Sequence, residues 1–178
     1  MMSLTKATSR IISLNDGVLS TGAGIGITSG TNTVYANSVI REGSIVTTTI
    51  IVDLTGLSAG GSAGDIIGTN GSGVAHLGQI TASECGTIFA VRMECLELLA
   101  TGDTDVDLYS ADEATGVEDT AISALTETQI INSGTLSAGS VVYGDTVASD
   151  QYLYLVGQDG NDAVYTGGKL KITLIGYA

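Results

Sequence analysis

Asp103, Asp105 and Asp107 stand at alternate positions in the stretch GDTDVDLYS, Gly102 to Ser110. Carboxylates spaced this closely are hard oxygen ligands of the kind that hold Ca²⁺. A calcium loop of the EF-hand type that began at Asp103 would need glycine at its sixth position, where the chain turns sharply, and a bidentate glutamate at its twelfth. Leu108 and Ala114 occupy those positions, so the pattern fails. Alternation has a second physical meaning, because successive side chains of a strand point to opposite faces. On that reading Asp103, Asp105 and Asp107 form one wet face of a half-exposed strand and Val106 and Leu108 the other. A weak cation contact, helped by Asp112 or Glu113, is all the metal chemistry the pattern leaves.

The remaining candidates carry less. His76, the sole histidine, lies in GTNGSGVAHLGQI with Ser72 and Ser83 in the vicinity. A serine–histidine pair needs a third group to orient the base, and no G-x-S-x-G accompanies it. Between Ala75 and Leu77, His76 reads as structural. Cys85 and Cys95 show no paired spacing that would build a zinc site with His76, and two isolated thiols are expected to be free and buried. The glycines of GAGIG, Gly22 to Gly26, lack the register, helix and lysine of a phosphate loop. Tyr152 and Tyr154 share a strand face and suit a core or subunit contact, or else a carbohydrate platform. No catalytic, cofactor-binding or metal residue is assigned, and no cofactor is expected.

Composition narrows the partners. Nineteen acidic against six basic residues give a net charge of −13, a field that repels phosphate backbones and anionic membranes. Neither nucleic acid nor a membrane is expected as a partner. No apolar run approaches the roughly 20 residues of a membrane helix, and MMSLTKATSRIISLNDG lacks the apolar middle of a secretory signal, so synthesis in the cytoplasm is the expectation. Only 14 % of the 178 residues are charged, which predicts that much of the surface is covered by something else.

The elements that must position these residues are strands. In SIVTTTIIVDLTGL, Ser44 to Leu57, β-branched residues follow one another almost without a break, which favours a pleated backbone over a helix. Period-2 alternation sends Val46, Thr48, Ile50, Val52 and Leu54 to the core and Ile45, Thr47, Thr49, Ile51 and Asp53 to the opposite face. GTIFAVRMECLEL, Gly86 to Leu98, predicts Phe89, Val91, Met93 and Cys95 on one face and Ala90, Arg92 and Glu94 on the other. QYLYLVG, Gln151 to Gly157, and KLKITLIGYA, Lys169 to Ala178, predict two more strands. Asp159-Gly160 and Gly167-Gly168 between them supply turn chemistry for a C-terminal hairpin, with Ala163 to Thr166 as a candidate short strand. The one segment with a helical pattern is GVEDTAISALTET, Gly116 to Thr128, enough for about two turns.

Short strands, 25 glycines and no proline predict an all-β fold, a β-sandwich or jelly-roll-like barrel with at most one short helix. Residues 1–43, rich in Gly, Ser and Thr, read as an N-terminal arm or strand segment, with a strand around Ile11 to Leu14. Residues 44–178 read as the sandwich domain.

With the strands in place, the order REGSIVTTTIIVDLTGL … HLGQI … GTIFAVRMECLEL … GDTDVDLYSADEATGVEDTAI … QYLYLVG … YTGGKLKITLIGY resembles small virion structural proteins of marine tailed bacteriophages, over residues 41–178. The resemblance implies a non-enzymatic capsid decoration or cement protein. Such a protein would be made in the host cytoplasm, sit on the outside of the head, bind the major capsid protein and form a homotrimer. A tail or head-fibre domain that binds a host glycan is the alternative from the binding class. A hydrolase built around His76 is the alternative from the enzyme class.

Overall fold

β1 (Val34–Glu42) and β2 (Ile45–Asp53) form a hairpin through the two-residue turn Gly43-Ser44, in full register from Val34 opposite Asp53 to Glu42 opposite Ile45. Gly43 sits at φ 65°, the left-handed region that a tight hairpin turn requires and glycine enters without strain. The computed structural model to which this hairpin belongs describes residues 17–178. The further strands are β3 (Asp65–Ile66), β4 (Gln79–Ile80), β5 (Thr87–Ala100), β6 (Val106–Ala111), β7 (Glu127–Ile131), β8 (Val141–Gly144), β9 (Gln151–Gly157) and β10 (Gly167–Tyr177). They build two antiparallel sheets, one of five strands in the order β1-β2-β10-β5-β8 and one in the order β3-β9-β6-β7, with β4 also paired to β9. The fold is an all-β sandwich, as the composition and strand pattern predict.

Alternation in β2 is borne out residue by residue: Val46, Thr48, Ile50, Val52 and the following Leu54 are buried, and the residues between them are partly or fully exposed. β10 lies between β2 and β5 and inserts Leu170, Ile172 and Leu174 into the same layer, opposite Val52, Ile50 and Thr48 on one side and Cys95, Met93 and Val91 on the other. Phe89 departs from the expectation. The β5–β10 register shifts between Ile175 and Gly176, so that Ile88 is buried and Phe89 is left 54 % exposed. A bulge adds one residue to one strand and thereby exchanges the faces beyond it, which period-2 reading has no means of anticipating.

Two further expectations are corrected. β9 and β10 do not form a hairpin: β9 belongs to the second sheet, and residues 158–166 cross from one sheet to the other. The crossing is fixed by Tyr165, which is buried, exchanges backbone bonds with Gly56 and Leu57, and donates its hydroxyl to the Asp103 carbonyl at 3.0 Å. Ala163 to Thr166 is not a strand of either sheet. Of the two readings of residues 1–43, arm or strand segment, the described part takes the second. Leu19, Ile27 and Val39 belong to the core, β1 is a full strand, and Gly17 bonds Val39 in both directions across the free edge of β1. The strand expected at Ile11 to Leu14 lies outside the described residues.

Helical structure among the described residues is limited to single turns, α1 (Ile25–Thr28), α2 (Ala82–Cys85) and a 3₁₀ turn at Ile122–Ala124. The last is what the pattern at Gly116 to Thr128 becomes. Asp119 at φ 60° breaks the helical backbone just before it, and Glu127 already belongs to β7.

The two sheets differ in how they are covered. Consecutive residues of β6 and β9 are buried, Val106 to Leu108 and Leu153 to Gly157, so the second sheet is covered on both faces. Its inner face meets the first sheet, and residues of the connections 54–81 and 112–125, among them Ile67, Leu77 and Ile122, complete the core around it. In the five-stranded sheet one parity is buried and the other, apart from the central Thr173, is partly or fully exposed, so its outer face carries no further layer of the described chain.

Gly24 and Gly26 of GAGIG have a packing role. Their amides donate to His76 O and Val74 O at 2.8 Å each, and a Cβ on either glycine would overlap the Val74 carbonyl. Gly24→Ala is therefore expected to destabilise the fold by about 1–3 kcal/mol, because the obstruction is backbone and cannot rotate away. Equilibrium unfolding in denaturant checks this, and Gly43→Ala, which meets open space, provides the contrast in cause: its cost comes from φ alone.

Candidate functional site

Asp103, Asp105 and Asp107 lie at the entry to β6, but they do not form a wet face. Asp103 and Asp107 are buried, Asp105 is half-buried, and the hydrophobic Val106 and Leu108 are buried with them. The strand reading holds for Val106–Ala111 and the solvent reading does not, because the connections over the second sheet cover the carboxylate side as well. Each carboxylate meets a different partner. Asp103 accepts from the Asn161 amide at 2.8 Å. Asp107 accepts from the Ser133 amide and from Gln129 Nε2, also at 2.8 Å each.

The residue that organises this end of the sheet is Asp159, which the sequence marks only as part of an Asp-Gly turn. Its Oδ2 accepts from the Thr104 amide at 2.7 Å, the Thr104 hydroxyl at 2.9 Å and the Asp105 amide at 3.1 Å. These bonds hold its carboxyl below the ordinary aspartate range. Asp103 and Asp105 shift the other way. Burial raises both, and the neighbouring carboxylates add to the effect, Asp159 and Asp105 on Asp103, Asp107 and Asp159 on Asp105. Asp103 Oδ2 and Asp105 Oδ1 are buried without a hydrogen-bond partner. Asp103 Oδ2 instead packs on Gly157, where any Cβ would collide with it.

A second acidic group lies close by. Asp65 accepts from the Ser62 amide at 2.9 Å and Glu118 from the Ser58 hydroxyl at 2.8 Å. Burial, and then the charges of Asp119 and Asp65, push the Glu118 carboxyl up. Ser58, Gly60, Asn70, Glu118, Asp119 and Asp162 line an open cleft of about 250 Å³. Asp112 and Glu113, considered above as helpers of a cation, are engaged elsewhere: Asp112 with Gln151, and Glu113 with the Thr126 amide and hydroxyl. Among the described residues no three His, Cys, Asp or Glu side chains converge on a point where an ion would sit.

His76 is buried, and its ring centroid lies 5.1 Å from that of Tyr152 and 6.3 Å from that of Tyr154, edge-on to the latter. Burial lowers its pKa, Nδ1 has no hydrogen-bond partner, and no serine hydroxyl bonds to it among the described residues. It is a packed aromatic side chain. Tyr154 is fully buried, donates to Glu113 O at 2.8 Å and accepts from the Gly116 amide; burial pushes its phenol up to about 12. It is therefore not part of a surface platform for sugars. Cys85 and Cys95 are free and buried, and burial raises both thiols.

What remains at the surface is the outer face of the five-stranded sheet. Across its middle run Ser38, Thr49, Thr173, Arg92 and Tyr143 on adjacent strands, with Ile40, Thr47, Ile175 and Ala90 in the row beside them. Lys169 bridges Asp53 at 3.2 Å and Glu97 at 3.3 Å, while Glu94 receives Lys171 at 3.1 Å and Arg92 at 3.0 Å. The bonds to Asp53 and Glu97 hold the Lys169 ammonium above its ordinary pKa. Apart from Glu42 at the hairpin end of β1, the charges of this face thus come in balanced pairs.

No family model, no curated protein and no solved structure matches the chain.

Two outcomes follow from the buried groups. The folded-state pKa of Asp103 lies above its unfolded value, so its contribution to stability is fully present below the ordinary aspartate pKa and is lost as pH rises through the raised value. Asp103→Asn, which keeps the acceptor for Asn161 and removes the charge, is expected to raise the melting temperature near pH 7 and to flatten its decline between mildly acidic and neutral pH. Thermal melts of both proteins across that range check it; an unchanged pH slope contradicts it. Cys85 and Cys95 are expected to resist a thiol reagent in the native protein and to react with a stoichiometry of two after unfolding, as read by absorbance titration.

Proposed function

We propose that this chain is a non-enzymatic structural protein of a virus particle, a decoration or cement protein that sits on the head exterior and bridges neighbouring major capsid subunits as a trimer. The observation that supports this reading most directly is how the acidic side chains are used. Asp65, Asp103, Asp107, Asp159 and Glu113 each accept a backbone amide from a loop or turn and tie it to the sandwich. Carboxylates that accept backbone amides form charge-assisted bonds, and what they provide here is a stiff scaffold. A cement protein needs such stiffness, since its effect on a shell is the contact area it adds between subunits that would otherwise separate.

A glycan-binding fibre domain has less support. Tyr154, one of the two tyrosines on which that reading relied, is in the core and Tyr152 packs against it and His76.

Particle location is the test. Mass spectrometry of purified virions is expected to find this chain in amounts stoichiometric with the capsid lattice. Imaging of the same particles is expected to show a two-sheet unit on the outside of the head. Absence from purified particles overturns the proposal, and density confined to the tail tip overturns it in favour of the fibre reading.

A further inference from the structure

We infer that the outer face of the five-stranded sheet is the surface on which a second copy of this chain docks. This deepens the assembly reading above, on which it rests, by naming the face and the occupant.

Charge singles out the face. The chain carries −13, and beyond Arg41 every basic residue, Arg92, Lys169 and Lys171, is on this face and already paired with Asp53, Glu94 or Glu97. The rest of residues 42–178 therefore presents carboxylates with no cation among them, and two copies that approached through those surfaces would repel. Through the outer face they meet balanced charge. A strongly acidic or basic partner finds no unpaired cation there and, apart from Glu42 at the hairpin end of β1, no excess charge to recognise, which leaves a surface close to neutral, and the chain itself supplies one.

Chemistry and size agree with that occupant. Between the ion pairs the face is made of short or β-branched side chains, with Ala36, Ser38, Thr49 and Thr173 giving a low relief. At its margins stand exposed hydrophobic side chains, Val34, Ile40, Ile45, Tyr143 and Tyr177, of which Tyr143 is 72 % exposed. Tyrosines surrounding small residues are typical anchors of protein contacts, because they bury a large rigid area at small entropic cost. Strands about 4.8 Å apart and nine residues long at about 3.4 Å each make a face of roughly 600–700 Å². A standard interface buries roughly 600–1,000 Å² on each partner, so this one face is sufficient. The second sheet has its second covering layer in its own loops; the first sheet would obtain it from another subunit.

Sedimentation velocity and light scattering on the full chain at low and high micromolar concentration provide the test. The expected result is a closed oligomer, a dimer or trimer, whose association strengthens as salt is added, since salt screens the repulsion between anionic bodies and leaves the intramolecular ion pairs of the face unneeded for docking. Thr49→Arg, an unpaired charge in the middle of the face, is expected to weaken association about tenfold or more. Tyr143→Ser, at an exposed position where folding has little at stake, is expected to weaken it in the same direction with an unchanged melting temperature of the dissociated chain. A monomer at every concentration and salt overturns the inference and leaves the face to a different protein or to a segment of the chain itself. An oligomer indifferent to both substitutions overturns it in favour of another surface. Neither result bears on particle location, so this inference and the virion reading fail separately; a monomer would remove only the trimer from that reading.

Discussion

The position of the last strand governs the rest of the molecule. β10 enters between β2 and β5 and pairs with β2 from Lys169 opposite Asp53 to Tyr177 opposite Ile45, so the sheet can be completed only when the C-terminus arrives. Its alternation then does two things at once. Leu170, Ile172 and Leu174 close the core from within, and Lys169 and Lys171 on the opposite parity meet Asp53, Glu94 and Glu97 from the flanking strands. The ion pairs are partly exposed and contribute little each. Their consequence is the neutrality of the face, which in so acidic a chain decides where a neighbour can approach.

Loops on the other side are held by a different interaction. Where the first sheet relies on side-chain layers, the second carries its connections on carboxylates that accept backbone amides, with Asp159 gathering the Thr104 and Asp105 amides and Asp103 gathering Asn161. Charge-assisted bonds of this kind satisfy amides that irregular backbone would otherwise leave without partners. The same arrangement concentrates like charge, and the raised pKa values of Asp103 and Asp105 are its cost. Edge protection follows a comparable economy of means without proline: β3, β4, β7 and β8 are short, and the long free edge of β1 is met by Gly17.

Several features were legible in residue order. β-branched content and alternation along Ile45–Asp53 and Lys169–Tyr177 identify strands and their buried sides, because a strand's two faces are set by its own period. The all-β class, the free buried thiols and the packed state of His76 follow from composition and immediate neighbours in the same way. The failure of the calcium pattern at Leu108 and Ala114 was likewise readable, since that motif is defined along the chain.

What tertiary structure alone decided concerns faces, partners and crossings. The aspartates of GDTDVDLYS have the spacing of a wet face, yet their burial depends on Asn161, Ser133 and Gln129, which reach them from 22 to 58 positions away. Phe89 points outward because of one extra residue in β5 relative to β10, a relation between two strands that neither segment contains. Gly157 and the 158–166 connection look like a hairpin by turn chemistry, but Tyr165 bonding to Gly56, Leu57 and Asp103 carries the chain to the other sheet. The balanced face likewise required knowing that Asp53, Glu94, Glu97, Lys169 and Lys171 meet on adjacent strands. Period and propensity act locally and can be read from one segment, whereas pairing and coverage are relations among segments that exist only once the chain has folded.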